Sequence, residues 1–257
     1  FCLSRGLGDV YKRQGQYRMG PDAELLELVT SASIACGFHA GDPRIMDATV
    51  RQAAGRGVSI GAHVSYPDLA GFGRRHLTVS PDELTTDVLY QIGALDAFCR
   101  RHGTSVSYVK AHGALYNDLA DDETLAAALA EAVEAYGGTL AVLVLAGTAA
   151  AGVIGGRGLR VVSEGFADRA YTPQGRLVSR REPGAVITDR AEVAARGARL
   201  AAGLPVPARD GTELVVHADS ICVHGDTAGA VALAAELRRA LAEAGIECRP
   251  FAGTAAG

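Results

Sequence analysis

The sequence predicts a single α/β domain folded as a TIM-like (β/α) barrel, and three observations carry that expectation. Short apolar runs with β character alternate with helical patterns, as in parallel sheets joined by right-handed crossovers. At 257 residues the chain has an ordinary length for one barrel. Four of its seven histidines, His39, His63, His112 and His224, each follow an apolar run and lie beside a glycine or a Ser-Tyr-Pro turn. Barrel enzymes build their sites at that edge of the sheet, so the four point to one shared pocket. The same recurrence of polar groups at strand ends favours a closed sheet over an open one.

Taken in order, Phe1–Gln14 shows no clean period, and its end, DVYKRQ, reads as one translation of a transposon-type sequencing adapter. It is expected to be foreign and to replace a native first strand, leaving 15–257 as the barrel domain. Residues 22–29 carry a short helical pattern of Leu25, Leu26 and Val29. The stretch Ser33–Pro43, SIACGFHAGDP, opens as a strand at Ile34, Ala35 and Cys36, breaks at Gly37 and presents His39. Asp42 and Pro43 then suit the cap and first turn of a helix that runs through Met46, Val50 and Ala53 to Gly55. Strand Val58–Ala62 delivers His63, and the loop after it, SYPDLAGFGRRHLTV, is too rich in Tyr, Phe and Arg for a plain linker. Ser80-Pro81-Asp82-Glu83 is a capping box opening a helix with Leu84, Val88, Ile92, Leu95 and Cys99 on one face.

Strand Val106–Val109 leads to Lys110 and His112. Leu125, Leu129, Val133 and Tyr136 mark a helix stopped by Gly137-Gly138, followed by strand Leu140–Leu145 and a small-residue helix near 148–154. Strand Leu159–Ser163 delivers Glu164, with Asp168 and Arg169 in the loop behind it. An irregular stretch reaches residue 188, then come a helix over 190–202 and a proline-rich loop. The last strand ends at His224, and a final helix carries Ala230, Leu233, Leu237 and Leu241 to Gly245. Six strands result.

Composition excludes several function classes. The net charge is −4 with Lys and Arg scattered, which argues against a nucleic acid partner. No apolar run reaches the roughly 18 residues that cross a bilayer, and nothing marks the chain for export, so the cytoplasm is expected. Cys2, Cys36, Cys99, Cys222 and Cys248 lack CxxC spacing, so neither a disulfide framework nor a zinc knuckle is indicated. Cys36 and Cys222 sit in apolar strands and read as core residues. There is no GxxxxGK[ST], hence no Walker-type seat for ATP.

His39 and Asp42 are spaced H-x-x-D at a helix start, although Asp42 reads equally well as a plain N-cap. Lys110 and His112 alternate on a strand exit and so share a face. A lysine there needs a carboxylate or an anionic ligand. His224 and Asp226 form an H-x-D loop, while Glu164, Asp168 and Arg169 add two carboxylates and a bidentate carboxylate binder. His76, His102 and His217 read as structural, and Arg74-Arg75 as either an anion grip or an exposed pair. Two chemistries fit this set. It could ligate a divalent ion such as zinc, manganese or magnesium that activates water, or act without metal as general acid and base on a carbonyl substrate. Spacing does not decide between them.

The motifs SIACGFHAGDP, IGAHVSYPDLAGFGRR, YQIGAL, VKAHGALYN, EGFADRAY followed by GRLVSR, and DSICVHGD resemble, in order, those of the LamB/YcsF family, the A component of bacterial 5-oxoprolinase. The resemblance spans about Gly15 to Gly245. It implies a barrel of the glycoside hydrolase/deacetylase type, usually seven-stranded. It also implies ATP-dependent opening of 5-oxo-L-proline to L-glutamate, with ATP as co-substrate and separate B and C subunits as partners; a homo-oligomer is compatible with it. On that reading His39, Asp42, His63, His112, Glu164, Asp168, His224 and Asp226 are the expected catalytic set. Within it His39, His63 and His112 polarise the lactam or activate water, and are the ligands of any metal. Lys110, Arg169 and Tyr116 are the expected substrate-binding residues, with Lys110 or Arg169 on the carboxylate. Three departures stand out: Phe1–Gln14 occupies the place of the family's first strand, D-L-N-x-D-L-G-E; Ser33 replaces Asn; and Val64 and Ala111 replace Pro. Two other readings are a stand-alone metal-dependent hydrolase or deacetylase, and a non-catalytic substrate-binding or scaffolding subunit.

Overall fold

A computed structural model describes residues 22–225 and 229–252. Its strands are β1 (Ser31–Ala35), β2 (Ser59–Val64), β3 (Val106–Ala111), β4 (Ala141–Leu145), β5 (Val161–Phe166), β6 (Val206–Pro207), β7 (Glu213–Leu214) and β8 (Ser220–Cys222). The helices are α1 (Asp22–Leu25), α2 (Pro43–Ala54), α3 (Pro81–Arg101), α4 (Gly113–Asp121), α5 (Glu123–Tyr136), α6 (Ala149–Gly156), α7 (Arg190–Ala201) and α8 (Ala230–Glu243). Six strands pair in parallel in the order β1-β2-β3-β4-β5-β8, and β6 with β7 makes a small antiparallel hairpin. β1, β2 and β4 are buried along their whole length, as a parallel sheet covered by helices requires.

The helices start where local chemistry satisfies their first N–H groups. Asp42 Oδ1 accepts from Arg44 N at 2.9 Å and Ile45 N at 3.0 Å. Ser80 Oγ accepts from Glu83 N, and Glu83 Oε2 in turn accepts from Ser80 N at 2.8 Å. The α3 face expected from the sequence is the buried one, with Leu84, Val88, Ile92, Leu95 and Cys99 in the core.

The sheet is strongly curled. Between β3 and β8 lie two strands, which in a flat sheet would separate them by roughly 14 Å. Yet Lys110 Nζ on β3 lies 3.1 Å from Cys222 Sγ on β8, and Ser33 Oγ on β1 lies 3.2 Å from Tyr108 Oη on β3. Side chains of non-adjacent strands therefore meet across a concave interior, giving a half-barrel. β1 and β8 are its two ends and are not paired with each other among the described residues, so the expected closure is not seen there. The segment 1–14 lies outside the described residues.

Other differences are local. Strands run further than their apolar runs suggested: His63, Lys110 and Glu164 lie inside β2, β3 and β5, because ladder pairing continues through them, with Ala35 opposite His63 and His63 opposite Lys110. The helix α4 starts directly after His112, its Leu115 and Leu119 buried one turn apart. The proline-rich loop contains the β6–β7 hairpin.

Tyr108 fills the bottom of the interior, its ring 4.8 Å from that of Phe251. Gly61 on β2 makes room for it: a Cβ there would fall 2.0 Å from Tyr108 Cε2. Gly61→Ala is expected to lower stability by about 1–3 kcal/mol, and Tyr108→Leu in the same chain to restore part of the loss. Urea unfolding of the three proteins checks this; an unchanged midpoint for Gly61→Ala would contradict the packing.

Candidate functional site

Three imidazoles cluster at the C-terminal edge of the sheet, where His63 and His112 line a cleft of about 690 Å³ and His39 stacks behind His112 without lining it. His39 comes from the turn between β1 and α2, His63 from β2, and His112 from the junction of β3 and α4. All three are buried. The rings of His39 and His112 stack at 3.9 Å, and His63 stands edge-on to both.

Their hydrogen bonds fix which nitrogens face inward. His63 Nδ1 lies 3.1 Å from Lys110 O, and His112 Nε2 2.9 Å from Phe72 O. A carbonyl oxygen only accepts, so each of these nitrogens carries its hydrogen. His39 Nδ1 meets Ser65 Oγ at 2.9 Å, and since that hydroxyl donates to Tyr66 O, His39 donates as well. The nitrogens left to face one another are His39 Nε2, His63 Nε2 and His112 Nδ1. His63 Nε2 and His112 Nδ1 are 3.0 Å apart. Two neutral rings would oppose lone pairs there, so the contact calls for a cation: a shared proton or a metal ion. Outer N–H groups anchored to oxygen acceptors are also the arrangement found around histidines that ligate metals. The three offer ligand atoms within 4.8 Å of one another.

Two supports were not legible as such in the sequence. Gln91 on α3 is buried and grips the backbone of Ser65, its Oε1 accepting from Ser65 N at 2.9 Å and its Nε2 donating to Ser65 O at 3.0 Å. The available signal was a polar residue one turn beyond Val88 on an otherwise apolar stripe. The second is the loop after β2. Phe72, with φ +59°, is the one described non-glycine residue in the left-handed region, and it aims its carbonyl at His112. Gly73 beside it must be glycine, since a Cβ would fall 2.8 Å from His112 Cδ2. Asp68 clamps the loop, accepting from Gly71 N at 2.9 Å and from Arg75 Nε at 2.8 Å.

Lys110 meets the carboxylate its burial demands. Its Nζ donates to Glu164 Oε1 at 2.9 Å, and Tyr116 Oη donates to Glu164 Oε2 at 2.9 Å. Burial, then the neighbouring Glu164, raises the Tyr116 hydroxyl well above its ordinary value. His224 pairs with Asp168, its Nδ1 at 2.9 Å from Oδ2, across 56 residues of chain. Burial works against the Asp168 carboxylate, but the charge and hydrogen bonds of His224 outweigh it and hold the group below its usual range. Asp226, expected beside His224, lies outside the described residues. Arg169 is buried, with Nε on Ala185 O at 3.1 Å and Nη2 on Val178 O at 2.5 Å.

His63, Lys110, His112, Tyr116, Arg169 and His224 all line the cleft. Asp42 does not: its carboxylate caps α2, the second of the two readings the sequence allowed. Glu164 and Asp168 reach the cleft only through Lys110, Tyr116 and His224. His102 pairs with Asp47 at 2.9 Å away from the cleft, as a structural residue would. His76 was also read as structural, but it lines the cleft mouth and is bonded to Asp118 at 2.6 Å.

The sequence profile of the LamB/YcsF family matches residues 7–256. The chain belongs to the LamB/YcsF family. Relatives include a protein from Kocuria rhizophila named as the A component of 5-oxoprolinase, 55% identical over 95% of this chain and 97% of that one. Another, named as an A component of 5-oxoprolinase in Pseudomonas syringae pv. tomato, is 52% identical over 98% and 97%. The crystal structure of a lactam utilization protein from Thermus thermophilus is similar with a TM-score of 0.91 at 43% identity, covering 98% of this chain and all of that one. A family 4 carbohydrate esterase from Streptomyces lividans reaches a TM-score of 0.50 at 12% identity, covering 96% and 91%, a likeness of fold alone. The curled parallel sheet thus shares the fold implied by the family motifs, with six strands rather than seven paired in it among the described residues. Among the described residues no helix is long and apolar enough to cross a membrane.

The Asp168–His224 pair has a pH signature. Because the folded carboxyl titrates below its ordinary 3.8, its contribution is present in full above that pH and is lost as pH falls through the lower folded value. Asp168→Asn is therefore expected to destabilise the chain by about 3–5 kcal/mol at neutral pH, with the gap to the parent narrowing in acid. Urea midpoints for both proteins at neutral pH and near pH 3 test it; a gap independent of pH would contradict the ionised Asp168 carboxylate.

Proposed function

We propose that this chain is the A component of a 5-oxoprolinase, opening the lactam of 5-oxo-L-proline to L-glutamate at the expense of ATP, with B and C subunits as partners. The observation that carries this reading is the 50–55% identity, over nearly the whole chain, to proteins named as A components of 5-oxoprolinase. In the net reaction two waters are consumed: ATP passes its phosphoryl group to the lactam oxygen and leaves as ADP, one water then adds to the activated carbon and opens the ring, and the second hydrolyses the resulting acyl phosphate to carboxylate and inorganic phosphate. The water oxygen ends on the carbonyl carbon, the C–N bond breaks, and the ring nitrogen takes a proton to become the amino group of glutamate. Phosphorylation of the lactam oxygen by ATP turns a poor electrophile into one that water can attack.

The floor of the cleft suits this chemistry. His39, His63 and His112 hold or move a proton at His39 Nε2, His63 Nε2 and His112 Nδ1, where the lactam oxygen and the attacking water need one. A donor set of three imidazoles fits zinc or manganese better than magnesium, which prefers oxygen. Such an ion would supply Lewis acidity toward the lactam carbonyl. Lys110, neutralised by Glu164, orients rather than binds a carboxylate. Arg169 keeps its charge at the cleft wall and is the better partner for the substrate carboxylate.

The test follows glutamate and ADP release from 5-oxoproline and ATP by the chain with its B and C partners. Turnover is expected to need all components, and His63→Ala and His112→Ala to reduce kcat by about 100-fold or more with assembly intact. Full turnover in both variants would point to a scaffolding role. Turnover without ATP or partners would point to a stand-alone hydrolase. Metal content measured before and after chelation reports on the imidazole site separately.

A further inference from the structure

Cys222 differs from the other buried cysteines of this chain in what touches its sulfur. Cys36 Sγ donates to Ile34 O at 3.2 Å, and burial pushes the Cys36 and Cys99 thiols up to about 12, which keeps them protonated and inert. Cys222 Sγ instead accepts a hydrogen bond from the Lys110 ammonium at 3.1 Å. A cation whose proton points at sulfur favours the thiolate, the form that oxidants attack. The two residues come from β3 and β8, 112 positions apart, so the contact belongs to the curled sheet and to nothing local. Further features suit a reaction between them. Glu164 Oε1 accepts from the same ammonium at 2.9 Å and is placed to take a proton from it. The rings of Tyr116 and Phe166 lie 5.8 and 5.4 Å from Nζ and hold the amine beside the sulfur. Lys110 lines the cleft, so a small oxidant entering from solvent reaches the pair on its nitrogen side. Among the described residues Lys110 is the only lysine, and a link between lysine and cysteine there has one amine to start from.

We propose that Lys110 and Cys222 are an oxidation switch: with hydrogen peroxide they close into a covalent Nζ–O–Sγ bridge that turns the cleft off. The first peroxide oxidises the Cys222 thiol to a sulfenic acid; its O–O bond breaks, an S–O bond forms and one water leaves. The Lys110 ammonium passes a proton to Glu164. The second peroxide then takes one hydrogen from the amine and one from the sulfenic hydroxyl as the N–O bond forms, and departs as two waters. Sulfur and nitrogen have each lost two electrons, and the two peroxides have taken up four. The flexible stem of lysine lets Nζ draw in to the bridged distance. Closure fastens β3 to β8 across the interior and removes a positive charge from the lining of the cleft, while Glu164 keeps the proton it received. The bridge itself stands apart from the ring-opening reading; its effect on turnover rests on that reading.

Peptide mass mapping of the full chain before and after hydrogen peroxide tests the bridge without partners or turnover. A linked pair of peptides carrying Lys110 and Cys222 is expected, about 14 Da heavier than the two reduced peptides together, for one oxygen gained and two hydrogens lost, and released by dithiothreitol. Cys222→Ser and Lys110→Arg are expected to abolish it, and Cys248→Ser, which alters a half-buried thiol, to retain it. A linked pair about 2 Da lighter than the sum is a direct nitrogen–sulfur bond and overturns the oxygen bridge. Cys222 recovered unlinked from the parent chain, as thiol or as sulfinic acid, overturns the pair altogether and needs no variant to fold. For the switch, the oxidised chain is freed of peroxide and mixed with its B and C partners. Glutamate release is expected to fall in proportion to the bridged fraction and to return with dithiothreitol, while Cys222→Ser keeps its own rate through the same treatment. Bridging without loss of turnover overturns the switch and leaves the bridge. Absence of glutamate formation before any oxidation, with competent partners, overturns the ring-opening reading alone.

Discussion

A charge buried inside a sheet must be answered locally, and Lys110 is where this fold meets that constraint. Its ammonium reaches Glu164 on β5 and also Cys222 on β8, and the second contact is within reach only because the sheet curls. Its backbone carbonyl receives His63 Nδ1, which sets the tautomer of that ring. One residue thus couples the curvature of the half-barrel to the orientation of a nitrogen at the floor of the cleft. Removing either charge would leave the other buried without a partner, a loss of about 3–5 kcal/mol.

From that point the site is built by acceptors placed outside the histidine cluster. Lys110 O, Phe72 O and Ser65 Oγ each take one outer hydrogen, and the inner nitrogens converge as a result. The acceptors are themselves held. Gln91 ties Ser65 to the long helix α3, and the left-handed Phe72 is kept in place by the Asp68–Arg75 clamp. Backbone strain of this kind persists only where surroundings enforce it, and here it delivers one carbonyl to one ring.

The cleft divides its charges into two kinds. Lys110 is matched by Glu164, and the Asp168 carboxylate by hydrogen bonds from His224, in the interior, where unpaired charge is most costly. Of the arginines on the wall, Arg74 is exposed and Arg180 half-buried, where screening lets like charges be neighbours, whereas Arg169 is buried against carbonyl oxygens. The matched pairs hold the floor of the cleft, and arginines line its wall.

Much was legible in the sequence because it was local. Hydrophobic period, the caps at Asp42 and Ser80 and the recurrence of histidine after apolar runs depend on residues a few positions apart, and they determined the alternating parallel architecture, the buried face of α3 and the edge that carries the site. Family motifs added the identity of the residues worth watching. What lay beyond reach was every pairing across the curl. Asp168 with His224, Lys110 with Glu164 and Gln91 with Ser65 join positions 26 to 56 residues apart, and no period or spacing encodes which strand will face which. Asp42 shows the reverse: its local role as a cap was readable, but only the folded chain decided that this role keeps its carboxylate out of the cleft. The sequence by itself determined the elements and the chemistry they carry; the tertiary structure alone decided which nitrogens converge and which charges are cancelled, because those depend on distances that exist only once the sheet has curled.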